Sequence, residues 1–274
     1  MNRFKETIFR HPFIFSLIIL TISSIATEIR LEPYLKGFMN EQNAMYATIT
    51  LEQGLWSILL VCLICSLGCM KNAGFTKPKE WKQIWAAWPI LVLIGLNGLP
   101  FFDGTLRIDT SKPDTIILFI LLNLSVGFFE EILGRGTILM LMVRKWGSTK
   151  SGIYRSVILS SLLFGLMHII NFMAGRSTLM TVAVQMSYSV FFGAFFAACV
   201  LRNRSIWLAI ITHAVFDLFG GLQEIAVNGT FGQIHQTTMA DALSTLIVTL
   251  PIFFYSLFLI RKVPTAAAAL RSVD

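Results

Sequence analysis

Residues 115–143 read TIILFILLNLSVGFFEEILGRGTILMLMV, an apolar run that is long enough to cross a bilayer and carries three charges near its centre. The charged residues are Glu130, Glu131 and Arg135. Placing one ionised side chain at the centre of a bilayer costs at least about 2.5–3.5 kcal/mol. The run therefore predicts a transmembrane helix whose charged residues pair with one another or carry out chemistry.

The composition of the whole chain also predicts a membrane protein. Hydrophobic residues make up 55% of the chain and charged residues only 14%, whereas soluble domains are about a quarter charged. Backbone polar groups in lipid must be satisfied within helices or closed barrels, and the alternating segments of barrel strands are absent from the sequence. We therefore predict an all-α fold, a single integral membrane domain (1–274) built as a polytopic transmembrane helical bundle.

Apolar runs separated by short charged segments predict about eight spans. Their approximate ranges are Pro12–Thr27, Leu55–Met70, Trp88–Phe102, Thr115–Val143, Ser156–Met173, Leu179–Leu201, Ile206–Leu222 and Ala242–Ile260. With the N-terminus inside, 16 Lys and Arg residues lie on the cytoplasmic side and five on the other, and Arg135 completes the 22. This bias predicts cytoplasmic N- and C-termini in a bacterial plasma membrane. An alternative for the first span is a cleaved signal peptide, which leaves seven spans in the same orientation.

The net charge of the chain is explained by the same topology. The formal value of +7 follows from the basic residues of the cytoplasmic loops, and no basic motif interleaved with aromatic residues accompanies them. We therefore predict that the partners include the lipid bilayer and no nucleic acid.

The charged trio of the central span forms the motif Glu-Glu-x-x-x-Arg. On a helix, Glu131 and Arg135 are i and i+4 neighbours and can pair. Glu130 is rotated by about 100° from Glu131 and can point into a cavity of the bundle. A purely structural polar cluster that holds helices together is an equally good interpretation of the trio alone.

Two later spans carry the remaining intramembrane ionisable residues. His168 ends the sequence Phe-Gly-Leu-Met-His on the fifth span, and His213 and Asp217 share one face of the seventh. Counted from the basic loop Arg144–Arg155 at 1.5 Å per residue, Glu130 and His168 both lie ~20 Å deep. The groups are therefore expected to converge, with a substrate entering from the cytoplasmic side or laterally from the lipid.

These three motifs, in this order on successive late helices, resemble those of the CPBP family. Its members are intramembrane proteases related to the type II CAAX prenyl endopeptidases and to bacteriocin-processing and self-immunity proteins. The resemblance covers about residues 115–222, the expected catalytic core. Gly134 departs from the family pattern, where a bulky residue is common, and is expected to loosen the packing beside Arg135. Asp217 stands where the prenyl-protein enzymes carry asparagine, although bacterial relatives also use aspartate.

The resemblance implies an intramembrane endopeptidase acting on a membrane-associated protein or peptide. Glu130 and His168 would hold and deprotonate the attacking water, and His213 with Asp217 would stabilise the oxyanion of the tetrahedral intermediate. The supporting pair would be Glu131 and Arg135.

The role of Asp217 and the presence of a metal are left open by the sequence. An ionised aspartate cannot donate a hydrogen bond to an oxyanion, so Asp217 is protonated, orients His213 as an acceptor, or binds a metal. Glu130, His168 and His213 would suit a catalytic Zn²⁺ with an open coordination position. A metal-free mechanism fits the same residues, and the zinc motif His-Glu-x-x-His is absent.

Two other classes of function accommodate ionisable residues inside a membrane. One is an ion- or proton-coupled transporter, and the other is a non-catalytic bacteriocin immunity or scaffold protein. Against the transporter, the polar residues cluster in one half of the chain, and no corresponding pair of broken helices appears in the first half.

Overall fold

The structure is a computed structural model that describes residues 3–78, 81–229, 231–233 and 236–265. Every regular element within these ranges is helical, which confirms the all-α prediction. The α-helices are α1 (Arg3–Arg10), α2 (Pro12–Ala26), α3 (Glu32–Leu35), α4 (Glu41–Ser66), α5 (Trp88–Phe102), α6 (Pro113–Glu131), α7 (Met140–Trp146), α8 (Lys150–Met167), α9 (Ile169–Met173), α10 (Leu179–Asn203), α11 (Trp207–Gly220) and α12 (Met239–Ile260). A π-helix (Ile132–Leu139) joins α6 to α7, and 3₁₀ helices occupy Trp81–Ala87 and Leu222–Ile225.

Six of the described helical segments are long and apolar enough to cross a membrane. They are Glu41–Ser66, Ile84–Phe102, Pro113–Trp146, Lys150–Met173, Leu179–Asn203 and Met239–Ile260. The first predicted span corresponds to α2, which forms a pair with α1 bent by 99°, and the seventh corresponds to α11, an apolar helix of 14 residues. The predicted number of eight spans and the cytoplasmic termini remain predictions, and residues 266–274 lie outside the described ranges.

The outer faces of the long helices carry large apolar side chains. On α4, Leu51, Leu55, Ile58 and Leu59 form a stripe at helical spacing and are all exposed. A continuous apolar stripe of this kind requires an apolar environment, which lipid tails provide.

Positions along α4 can be related to positions along α6 and the π-helix, because the two segments run side by side. Near their N-termini, Thr115 Oγ1 on α6 donates a hydrogen bond of 2.7 Å to Asn43 Oδ1 on α4, 72 positions earlier. Near the other end, the side chain of Ile64 lies 3.4 Å from where a Cβ of Gly136 would be, again 72 positions apart. These two contacts, the register contacts, show that α4 runs parallel to α6 and the π-helix with a constant offset.

The π-helix is a departure from the continuous α-helix that the apolar run predicts. All eight of its residues are buried, and the Thr137 hydroxyl donates to the Ile132 carbonyl oxygen at 3.0 Å. The segment contains Gly134 and Gly136, and glycine adopts non-α backbone geometry at little steric cost. Widened π turns of this kind are frequent at functional sites.

The α6–α11 contact depends on the absence of a side chain at Gly127. A Cβ there would lie 2.9 Å from the Ala214 Cβ and 3.0 Å from both the Ala214 nitrogen and the Ile210 carbonyl oxygen. Small residues permit this close approach of backbones in membrane bundles. Ala214 directly follows His213 on α11, so this contact also positions His213 against α6.

Gly127→Ala is expected to destabilise the protein by about 1–3 kcal/mol, because α11 backbone atoms cannot move aside as a flexible side chain does. The measurement is the thermal unfolding midpoint of the purified protein in detergent. The matched control is Gly95→Ala on α5, where nothing lies within 4 Å of the added Cβ. This control is expected to be neutral or slightly stabilising. Equal midpoints for the two variants would contradict the packing argument.

Candidate active site

The predicted pair of Glu131 and Arg135 is present and buried. Arg135 Nη1 donates to Glu131 Oε1 at 2.7 Å, and Nη2 donates to the Phe192 carbonyl oxygen at 3.4 Å. The guanidinium lies over the Phe164 ring, 4.2 Å from its centroid. In the described part of the chain, Glu131 Oε2 has no hydrogen-bond partner. Arg135 therefore balances the charge of Glu131 inside the bundle.

The expectation of loose packing at Gly134 is wrong. A Cβ at this position would lie 3.3 Å from the Phe164 ring. The ring fills the space that a bulkier residue would occupy and at the same time covers the guanidinium of Arg135.

His213 lies at the centre of the charged cluster. Its Nδ1 is 2.7 Å from Glu131 Oε1, and its Nε2 is 3.4 Å from Asp217 Oδ2 and 3.7 Å from Glu130 Oε2. The ring stacks on Phe196, with centroids 5.5 Å apart and an interplanar angle of 16°. One imidazole is thus held by aromatic stacking among three carboxylates.

His168 occupies the break between α8 and α9. Its ring contacts Phe164 edge-on, with centroids 5.7 Å apart. Within the described ranges, no hydrogen bond or ion pair connects His168 to Glu130. The two predicted partners therefore face a common space without a direct contact.

That common space is a cavity of about 1,020 Å³. Glu130, His168, His213 and Asp217 all line it. The predicted convergence of these four residues is therefore observed in the structure.

The cavity wall includes polar residues that the sequence motifs did not indicate. Tyr188 lines the cavity and lies within electrostatic range of Glu130 and Asp217. It belongs to a face of α10 formed by Thr181, Gln185, Tyr188, Ser189 and Phe192, which all line the cavity. The helical spacing of its polar residues on an apolar span was the signal that could have identified this face.

The Glu131–His213 contact was also missed, because spacing along one helix does not fix the rotation of another.

The opening of the cavity is on the side opposite the basic loop Arg144–Arg155. Its outer end, the mouth, is lined by the exposed residues Arg30, Arg176 and Asp241, which follow α2, precede α10 and begin α12. The cavity therefore does not open towards the basic cytoplasmic face, from which the sequence predicted substrate entry. The depth of Glu130 counted from that loop did not reveal the side of the opening. The segment Pro113–Trp146 has 34 residues and extends about equally far on both sides of the glutamates, so they lie at similar distances from both ends.

The donor set does not form a metal site in this arrangement. No group of three or more His, Cys, Asp and Glu side chains within the described residues is placed to hold a metal ion. His213 Nδ1 is already occupied by Glu131, and His168 has no direct contact with the other predicted ligands. Zn²⁺ binding by Glu130, His168 and His213 stays a prediction.

Residues 112–219 match the model of a protein family described as type II CAAX prenyl endopeptidase Rce1-like. The matched segment contains all six predicted site residues. No match was found among the curated proteins or the solved structures compared with the chain. The family match supports an intramembrane endopeptidase of the CAAX type that acts on a peptide or protein in a membrane. Together with the apolar helices, it indicates an integral membrane protein.

Proposed function

On the premise that the Rce1-like domain at residues 112–219 supports membership of the CPBP family, we propose that the protein hydrolyses a peptide bond of a membrane-associated protein or peptide with Glu130 as general base. The observation that carries the proposal is the single cavity lined by Glu130, His168, His213 and Asp217. Its volume is at the upper end of the range for small-molecule pockets, which suits a segment of peptide chain.

Glu130 activates the water in this proposal. Its carboxylate accepts a proton from a water that His168 holds from the other side of the cavity, and the water oxygen attacks the carbonyl carbon. Glu130 then passes the proton to the leaving nitrogen, which departs as an amine. The lack of direct contact between Glu130 and His168 leaves space for that water.

His213 stabilises the oxyanion. With Nδ1–H donated to Glu131, a second donor at Nε2 requires the doubly protonated ring. The carboxylates of Glu131, Glu130 and Asp217 around the ring favour this charged form. In the resting state the Asp217 carboxylate lies 3.4 Å from Nε2 and orients the ring, which is one of the three roles considered for this residue. Tyr188, on the same cavity wall, is a second candidate donor to the oxyanion.

Arg135 and Glu131 act as positioning residues. Arg135 holds Glu131 by a 2.7 Å hydrogen bond, and Glu131 holds His213 Nδ1 at the same distance. A carboxylate that accepts from the remote nitrogen of a catalytic histidine fixes its tautomer and orientation.

The test is a comparison of the peptides released in membranes from cells that express the native protein or Glu130→Ala at matched levels. We expect defined cleavage products to disappear in the variant, because the general base is missing. The missing products would also identify the substrate.

Identical peptide profiles, with the variant folded and equally abundant, would contradict the assignment of Glu130. A loss of ion or solute flux without a loss of cleavage would favour the transporter alternative. No change in either measurement would favour the immunity or scaffold alternative.

A further inference from the structure

Glu52 is a buried carboxylate that the proposed mechanism does not use. It lies near the middle of α4, is only 8% exposed, and lines the cavity. In the described part of the molecule, its Oε1 has no hydrogen-bond partner. Burial of a carboxylate without a partner is unfavourable, so a side chain of this kind on a cavity wall calls for a ligand.

The surroundings of Glu52 offer further free acceptors. Glu32 Oε2, Thr48 Oγ1 and Gln53 Oε1 are also buried atoms without hydrogen-bond partners among the described residues, and all three residues line the same cavity. A group that only donates, such as an ammonium or guanidinium, is complementary to such a set.

The charge of the cavity wall favours a cation as well. The described lining residues include seven carboxylates and two arginines, together with His213, which is positively charged in the proposed mechanism, in a chain whose formal net charge is +7. They are Glu28, Glu32, Glu52, Glu130, Asp217, Glu224 and Asp241, with Arg30 and Arg176. Arg176 is already held by Glu28 through two hydrogen bonds of 2.6 and 2.9 Å. A concave wall with an excess of one sign concentrates ligands of the opposite sign.

The depth of Glu52 relates this acidic set to the proposed reaction centre. The register contacts between α4 and α6 place Glu52 level with Leu124, six residues before Glu130. At 1.5 Å per residue, Glu52 is therefore ~9 Å closer to the mouth than Glu130. An extended peptide covers this distance with about two or three residues.

We propose that Glu52, together with Glu32, Thr48 and Gln53, forms a subsite that binds a lysine or arginine side chain of the substrate. The basic residue lies about two or three positions from the scissile bond, towards the mouth. The inference rests on the proposed endopeptidase function for the identity of the ligand as a peptide.

The test measures binding separately from cleavage. The full-length Glu130→Ala protein in phosphatidylcholine nanodiscs is titrated with fluorescein-labelled ten-residue alanine–leucine peptides that carry one arginine, or one glutamine at the same position. The arginine peptide is expected to bind at least about tenfold more tightly than the glutamine peptide, because one hydrogen bond to a charged group contributes about this much to affinity. Glu52→Gln in the same background should abolish the difference. Glu41→Gln, on the same helix but exposed and paired with Lys36, should preserve it.

Equal binding of the arginine and glutamine peptides, or a preference that survives Glu52→Gln, would overturn the subsite. The first comparison requires no change at Glu52, so equal binding of the two peptides overturns the subsite even where that variant does not fold. The protein with Glu130 intact is then tested for cleavage of the same peptides. Arginine peptides that bind preferentially but are not cut would contradict the proposed function alone, and peptides cut without preference for arginine would contradict the subsite alone.

Discussion

Glu130→Gln is expected to lower kcat for peptide hydrolysis by about 10²–10⁴-fold while leaving KM nearly unchanged. Glutamine keeps the shape of the side chain and its place on the cavity wall, so peptide binding should persist. It cannot accept a proton from water, so the attack on the carbonyl carbon loses its base. The neighbouring Glu131 cannot replace it, because its Oε1 is held by Arg135 and His213 in a fully buried position.

The measurement is the hydrolysis of a peptide identified by the membrane comparison, with purified protein in nanodiscs and substrate varied around KM. The matched control is Glu41→Gln, the same chemical change at an exposed position outside the cavity lining. It is expected to stay within about twofold of the native kcat, since surface charges far from a site contribute little. A Glu130→Gln protein that retains native kcat would assign the base to another residue.

Arg135→Met is expected to destabilise the fold by about 3–5 kcal/mol, because removing one partner of a buried ion pair leaves the other charge uncompensated. The remaining charge is that of Glu131, which is fully buried and already has one oxygen without a partner. The measurement is the thermal unfolding midpoint in detergent, monitored by tryptophan fluorescence.

Two comparisons separate this cause from simple loss of packing. Arg176→Met breaks the partly exposed pair with Glu28 and should cost no more than about 1 kcal/mol. The double variant Glu131→Gln/Arg135→Met removes both buried charges and should recover more than half of the lost stability. It should remain inactive, because His213 has lost its carboxylate acceptor. A double variant as unstable as Arg135→Met would show that packing of the arginine over Phe164 is the dominant contribution.

Contacts within one helix could be predicted from spacing. The Glu131–Arg135 pair follows from i and i+4 positions and is present at 2.7 Å. The convergence of His168 and His213 with Glu130 followed from depth, because a bilayer fixes the direction and length of each span.

Contacts that depend on rotation of one helix against another could not be predicted. The Glu131–His213 hydrogen bond requires a particular rotation of α11, which the close contact of Gly127 with Ala214 determines. The acceptor set around Glu52 likewise depends on which face of α4 turns inward, and the weak amphipathicity of that helix does not indicate this face. The side on which the cavity opens depends on how the loops beyond the helix ends pack.

The π-helix gives the central span a place where the length of the chain can change. A π turn contains an additional residue, so deletion of one position between 136 and 139 would restore α-helical geometry and leave Arg135 in place. Because the widened turn takes up that residue locally, the flanking helices would keep nearly the same rotation, whereas a deletion within α6 would rotate the residues on its two sides by about 100° against each other. A one-codon deletion in α6 could therefore disrupt the active site of a descendant that still carries every residue of the three motifs.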